Sequence, residues 1–129
     1  MSLYTTPTVY HVDDSSVDRL VIKKMLQQEA PHLEIQQFSS ISKASTALFA
    51  NDQPLPHLLI INLYLPQVMG WNLLEALERI QILPVKIVIV TSSIFPWDQQ
   101  RARRFSIVSD YKIKPLSRQD IRDLLVYLP

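Results

Sequence analysis

The stretch PHLLIINLYLPQVMG, residues 56–70, decides the fold. Within it Leu58 to Ile61 is an unbroken apolar run, too short for a helix. Pro56 bounds it on one side, Pro66 and Gly70 on the other. This pattern predicts a strand buried on both faces, as in a parallel sheet covered by helices. Asn62, a polar amide, stands where that strand ends. In open α/β sheets, ligands and chemistry collect just beyond the carboxyl ends of the strands. Asn62 is therefore the first candidate position, and its being an amide rather than an acid governs what it can do.

The flanking sequence repeats one unit. Upstream, Thr8 to Val12 is a β-rich run ending in Asp13-Asp14. Ser15-x-x-Asp18 reads as a capping box, and Val17, Leu20, Val21 and Met25 follow at helical spacing as the expected inner face. Leu33 to Phe38 alternates imperfectly, as an edge strand can. Ser42 to Ala50 is a small-residue helix with Ala44, Ala47 and Leu48 inward. Downstream, Trp71 to Ile80 carries Leu73, Leu74, Leu77 and Ile80 at the helical period. Val85 to Val90 is a second buried strand, running into Thr91-Ser92-Ser93. Pro96 suits the first turn of a polar, arginine-rich helix through Phe105. Val108 to Ile113 is a last strand ending at Lys114-Pro115, and Ser117-x-x-Asp120 caps a final helix with Ile121, Leu124, Leu125 and Leu128. A βα unit repeated five times forces parallel pairing through right-handed crossovers, with helices on both faces of an α/β sheet.

Composition narrows the function. The 129 residues make one domain, spanning 1–129. Thirteen Lys and Arg against twelve Asp and Glu leave a net charge of +1, which points to neither nucleic acid nor a membrane surface. No apolar run approaches the roughly 18 residues of a membrane span, and no secretory leader is visible. The absence of cysteine excludes disulfides, thiolate metal sites and cysteine nucleophiles, and fits a cytoplasmic location. The single glycine, Gly70, argues against a glycine-rich phosphate loop. His11, His32 and His57 lack metal-ligand spacing.

Four polar clusters fall at the carboxyl ends of four strands: Asp13 with Asp14, Asn62, Thr91 and Lys114. Each alone has a plain reading as a cap, a turn residue or an exposed loop. Their convergence on one edge of one sheet is the specific signal. On these residues the chain resembles the response-regulator receiver domain of two-component signalling, over essentially its whole length. Val12-Asp13-Asp14 resembles the family's acidic pair. Residues 56–70 resemble the motif that ordinarily ends its third strand in a phospho-accepting aspartate. Thr91-Ser92 and Tyr111-Lys112-Ile113-Lys114-Pro115 resemble the hydroxyl residue and the aromatic switch residue with its Lys-Pro pair.

The resemblance implies a flavodoxin-like (βα)5 fold with a five-stranded parallel sheet in the order 2-1-3-4-5. It implies Mg²⁺ held by Asp14, with Asp13 directly or through water, by Asn62 and by the carbonyl of Tyr64, as suits a hard cation. Lys114 would neutralise phosphoryl charge, Thr91 would hydrogen-bond a phosphoryl oxygen, and Tyr111 would be the switch aromatic. The Lys114-Pro115 bond is expected to be cis. The departure is Asn62. The amide nitrogen is not basic, because its lone pair is delocalised into the carbonyl, and the oxygen is neutral, so no acyl phosphate forms there. Losing one carboxylate also relieves like-charge repulsion, on the order of 4 kcal/mol per pair at about 4 Å, and removes the main attraction for Mg²⁺, whose binding is expected to be weak or absent. The expectation is a non-enzymatic pseudo-receiver in a phosphorelay, acting through protein partners, a sensor histidine kinase or a downstream effector. The alternatives are a conventional receiver in which Asn62 stands for or deamidates to aspartate, and a flavodoxin-like cofactor binder, disfavoured because Asp13-Asp14 would repel a flavin phosphate. The aromatic and basic stretch from Phe95 to Arg104 is either a solvated helix with one aromatic tucked down or a docking face.

Overall fold

A computed structural model describes residues 6–81 and 84–129. Strands and helices alternate as β1 (Thr8–Val12), α1 (Ser16–Glu29), β2 (Glu34–Phe38), α2 (Ile41–Leu48), β3 (Leu58–Ile61), α3 (Gly70–Ile80), β4 (Lys86–Thr91), α4 (Pro96–Ala102), β5 (Val108–Ile113) and α5 (Arg118–Leu125). The sheet runs β2-β1-β3-β4-β5 with every pairing parallel, as expected. β3 lies at its centre and all four of its residues are buried.

Side chains alternate across the central strands and divide the core in two. Tyr10, Val12, Leu59, Ile61, Ile87 and Ile89 face α2 and α3, meeting Ala44, Leu48, Leu74 and Leu77. Val9, Leu58, Ile60, Val88 and Val90 face α1 and α5, meeting Ile22, Leu26, Ile121 and Leu124. Each such aliphatic side chain contributes roughly 1.5–3 kcal/mol on burial, so the two layers fix the sheet and with it the edge that carries the polar clusters.

Two expectations about packing are corrected. α1 carries two adjacent apolar stripes, and the buried one is Ile22 and Leu26, with Met25 packed beside them. Val17, Leu20 and Val21, expected inside, are 67, 54 and 47 % exposed. Ile80, expected inside, is the last residue of α3 and is also exposed. The edge position of β2 agrees with the sequence reading. Among the described residues no helix is long and apolar enough to cross a membrane.

Candidate functional site

The β1–α1 corner is built on Asp13. Its backbone N–H donates to Phe38 O at 3.0 Å, continuing the sheet by one residue, and its side chain is buried. Oδ1 accepts the Ser15 backbone N–H at 2.9 Å, and Oδ2 accepts Lys114 Nζ at 2.5 Å. Ser15 Oγ accepts the Asp18 backbone N–H at 3.2 Å, which is half of the expected capping box. The other half is missing, because Asp13 already holds the Ser15 N–H. The Asp18 carboxylate is thereby free, and it takes Lys114 Nζ at 2.8 Å. Burial opposes the charge on Lys114, but its hydrogen bonds to Asp13 and Asp18 outweigh that cost and hold its pKa above the ordinary lysine value. Arg19 Nη1 donates to the Asp13 carbonyl at 2.7 Å, placing a second cation at the corner. Asp14 is exposed.

Asn62 extends β3 in the same way, its N–H donating to Val12 O at 3.0 Å. The amide is buried, and its Oδ1 accepts the N–H of the next residue, Leu63, at 2.9 Å. The loop beyond folds back so that Gly70 N–H donates to Leu63 O at 2.7 Å. A Cβ at Gly70 would collide with the Asn62 carbonyl oxygen and stand 3.0 Å from Leu63 Cα. The chain's one glycine is therefore required by close approach to the candidate site.

Thr91 ends β4 fully buried, its Oγ1 accepting Ser93 N–H at 3.2 Å and its carbonyl accepting Lys114 N–H at 2.8 Å. Ser93 Oγ donates to Asp98 Oδ2 at 2.5 Å, and Tyr64 OH reaches both Asp98 oxygens at 2.7 and 2.8 Å. Tyr111 OH donates to Ser93 O at 3.3 Å. The loops after β3 and β4 and the first turn of α4 are thus tied through one buried carboxylate, and β5 joins them through the Ser93 carbonyl. Burial and the Asp98 contact raise the Tyr64 pKa, so the phenol stays a donor. The Lys114-Pro115 peptide is cis, as the resemblance implied.

Of the predicted residues, Asp13 and Lys114 are brought into direct contact, and Thr91 and Tyr111 are linked through Ser93. The Asn62 side chain accepts the backbone N–H of Leu63, with no bond to Asp13, Asp14 or Lys114 among the described residues. Sequence reasoning passed over Asp18 as a cap and Asp98 as a helix-surface residue. It also passed over Gln37, whose Nε2 donates to Arg19 O at 2.7 Å and contacts His11 Nδ1 at 3.1 Å. Burial drives the His11 pKa down to about 4. At the N-terminus of α4, Phe95 and Trp97 are both exposed and stack on each other at 4.4 Å between centroids. The expectation of one aromatic tucked down is corrected, since neither is. It is Trp71 that is buried, under the Arg101 guanidinium at 4.4 Å.

These donors fit a tightly held divalent cation poorly. Mg²⁺ demands several hard oxygens in near-octahedral array. Here both Asp13 oxygens are occupied, one by an ammonium, and the Asn62 oxygen faces Leu63 N–H. Among the described residues no group of three or more His, Cys, Asp or Glu is arranged to hold a metal.

Comparison with known proteins agrees with this layout. The rice (Oryza sativa subsp. japonica) two-component response regulator ORR6 is 29% identical over 117 residues, which cover 90% of this chain and 67% of that protein. A two-component response regulator from Cytophaga hutchinsonii superposes with a TM-score of 0.81 at 22% identity, covering 95% of this chain and 96% of the other. The phosphorylated cyanobacterial phytochrome response regulator RcpA superposes with a TM-score of 0.80 at 18% identity, covering 93% and 89%. Residues 9–126 match the response regulator receiver domain, and with the acidic corner, the β3 terminus and the Lys-Pro pair on one edge of a 2-1-3-4-5 sheet, the chain belongs to the receiver domain family of two-component response regulators.

Proposed function

We propose that this receiver domain relays its signal by protein contact, without forming an acyl phosphate at position 62. The observation that carries the reading is Asn62 itself, an amide at the carboxyl end of the central strand with its oxygen hydrogen-bonded to Leu63 N–H. Phosphoryl transfer needs a nucleophile aligned with the phosphorus. The amide supplies none, since its nitrogen lone pair is delocalised and its oxygen is neutral.

The contact surface that suits a relay is the exposed stripe of α1. Val17, Leu20 and Val21 project beside a small cleft lined by Ile22, Met25, Pro115 and Leu116. A helical partner with an apolar face, such as the helices of a sensor histidine kinase, fits such a groove. The downstream effector is the alternative occupant. The stacked Phe95–Trp97 pair is a second exposed apolar feature, an aromatic one of the kind enriched at binding hot spots.

Intact-mass spectrometry after incubation with acetyl phosphate and Mg²⁺ tests the central claim. No acid-labile gain of about 80 Da is expected for the natural chain, whereas Asn62→Asp regains an acceptor. An adduct on the natural chain, mapped to position 62, overturns the reading in favour of a conventional receiver whose amide has become an aspartate.

A further inference from the structure

The poor fit for a divalent cation has a structural counterpart in the position of Lys114. The geometry points to Lys114 as a built-in counter-ion: its ammonium closes the acidic corner in place of a divalent cation, and the domain is complete without metal. The inference rests on the receiver reading above.

Three observations carry it. First, the ammonium bridges two carboxylates from different elements, Asp13 Oδ2 at 2.5 Å and Asp18 Oδ2 at 2.8 Å. Lys114 and Asp13 are both sheltered, at 15 and 1 % side-chain exposure, so this is no solvent-screened surface pair. Second, the arrangement depends on an exchange at the N-terminus of α1. Asp13 takes the Ser15 N–H that a capping-box acid would take, and Asp18 is released toward Lys114. In α5 the same Ser-x-x-Asp spacing keeps both halves of its box, with Asp120 bonded to Ser117 N–H. Asp18 therefore departs from the local rule, and what it reaches is Lys114. Third, the oxygens a cation would recruit are committed. Asp13 is shared between Ser15 and Lys114, Asn62 Oδ1 accepts Leu63 N–H, and Arg19 adds positive charge at the Asp13 carbonyl.

The charges explain why a lysine suffices here. With an amide at position 62, the acids at this corner are Asp13, Asp14 and Asp18, and Lys114 and Arg19 face them. A single extra negative charge remains, carried at the exposed Asp14. A divalent cation entering this corner would have to displace an ammonium held by two carboxylates and lose several of its own waters, and it would gain one exposed acid.

The test is metal binding on the whole folded chain with no phosphoryl donor present, so its outcome is independent of whether position 62 can be phosphorylated. Mn²⁺ titration followed by electron paramagnetic resonance is expected to show no stoichiometric binding below about 10 mM, a level far weaker than dedicated sites reach. The melting temperature is expected to be the same in excess EDTA and in excess Mg²⁺. Lys114→Met uncovers Asp13 and Asp18 and is expected to bind Mn²⁺ at least about tenfold more tightly, with Mg²⁺ raising its melting temperature by about 5 °C. Lys114→Arg keeps the positive charge and is expected to stay indifferent to metal. Stoichiometric Mn²⁺ binding by the natural chain below about 10 mM overturns the inference, and this readout stands even where Lys114→Met does not fold. A Lys114→Met variant that folds but gains no response to metal overturns it equally.

Discussion

Gly70 and Asn62 are one structural unit, although eight positions separate them in the chain. The loop after β3 returns so closely that a methyl group at position 70 would strike the Asn62 carbonyl, and that carbonyl is backbone and cannot swing away. Gly70→Ala is therefore expected to destabilise the domain by about 2–4 kcal/mol, read by urea denaturation, with the damage centred on the β3–α3 loop. The Tyr64 phenol gives a gentler test. Tyr64→Phe leaves the buried Asp98 carboxylate bonded, among the described residues, to Ser93 alone and is expected to cost about 1–2 kcal/mol. A Tyr64→Phe variant as stable as the natural chain would place that bond among the inconsequential ones. At this scale the sequence was informative where punctuation marked a position. Asn62, Asp13 and Lys114 each directly follow a strand and were legible as a set. Asp98 was not, because nothing in its neighbours reveals that a tyrosine 34 positions earlier would satisfy it.

Among the elements, the strands were the most legible and α1 the least. β3 has no polar residue and no length for a helix, so only one element fits it. α1 offers Val17, Leu20 and Val21 at the same helical period as Ile22 and Leu26, and periodicity alone cannot say which stripe meets the sheet. The sheet decides, since Ile22 and Leu26 reach Val9, Ile60 and Val90. The two Ser-x-x-Asp segments differ for a similar reason. Ser117 keeps a complete box, and Ser117→Ala is expected to cost about 1 kcal/mol of stability in thermal or urea unfolding. A further tie escaped the sequence reading altogether. Glu78, on α3, accepts Ser106 N–H and Oγ–H at 2.7 and 2.8 Å, stapling α3 to the loop before β5, and these bonds lower its pKa. Glu78→Ala is expected to loosen that loop, seen as faster amide exchange at Ser106 and Ile107.

For the molecule as a whole, the buried imidazole of His11 sets the acid limit. Gln37 Nε2 donates to Nδ1, so the neutral ring carries its proton on Nε2, and protonation would set two donors against each other. The folded pKa of about 4 lies below the unfolded value of 6.5, so the unfolded chain takes up the proton first. The stabilisation from His11 is complete above pH 6.5 and falls away as pH drops from 6.5 toward 4, by up to about 3 kcal/mol. Denaturation midpoints at pH 7 and pH 5 measure the loss, and His11→Gln is expected to flatten it. The fold at this scale followed from element order, because five βα units leave few arrangements open. The charge pattern at the sheet edge did not follow, since it depends on which acid Lys114 meets.

The placement of the two tryptophans gives the domain a built-in optical readout. Trp71 is enclosed beneath Arg101, whereas Trp97 is 61 % exposed and lies on Phe95. Their emission should therefore separate into a short-wavelength component shielded from acrylamide and a long-wavelength component open to quenching. A protein that settles on the α4 end of the molecule would dim or blue-shift only the second, while unfolding would move both. Binding and denaturation can then be told apart in one cuvette without a label.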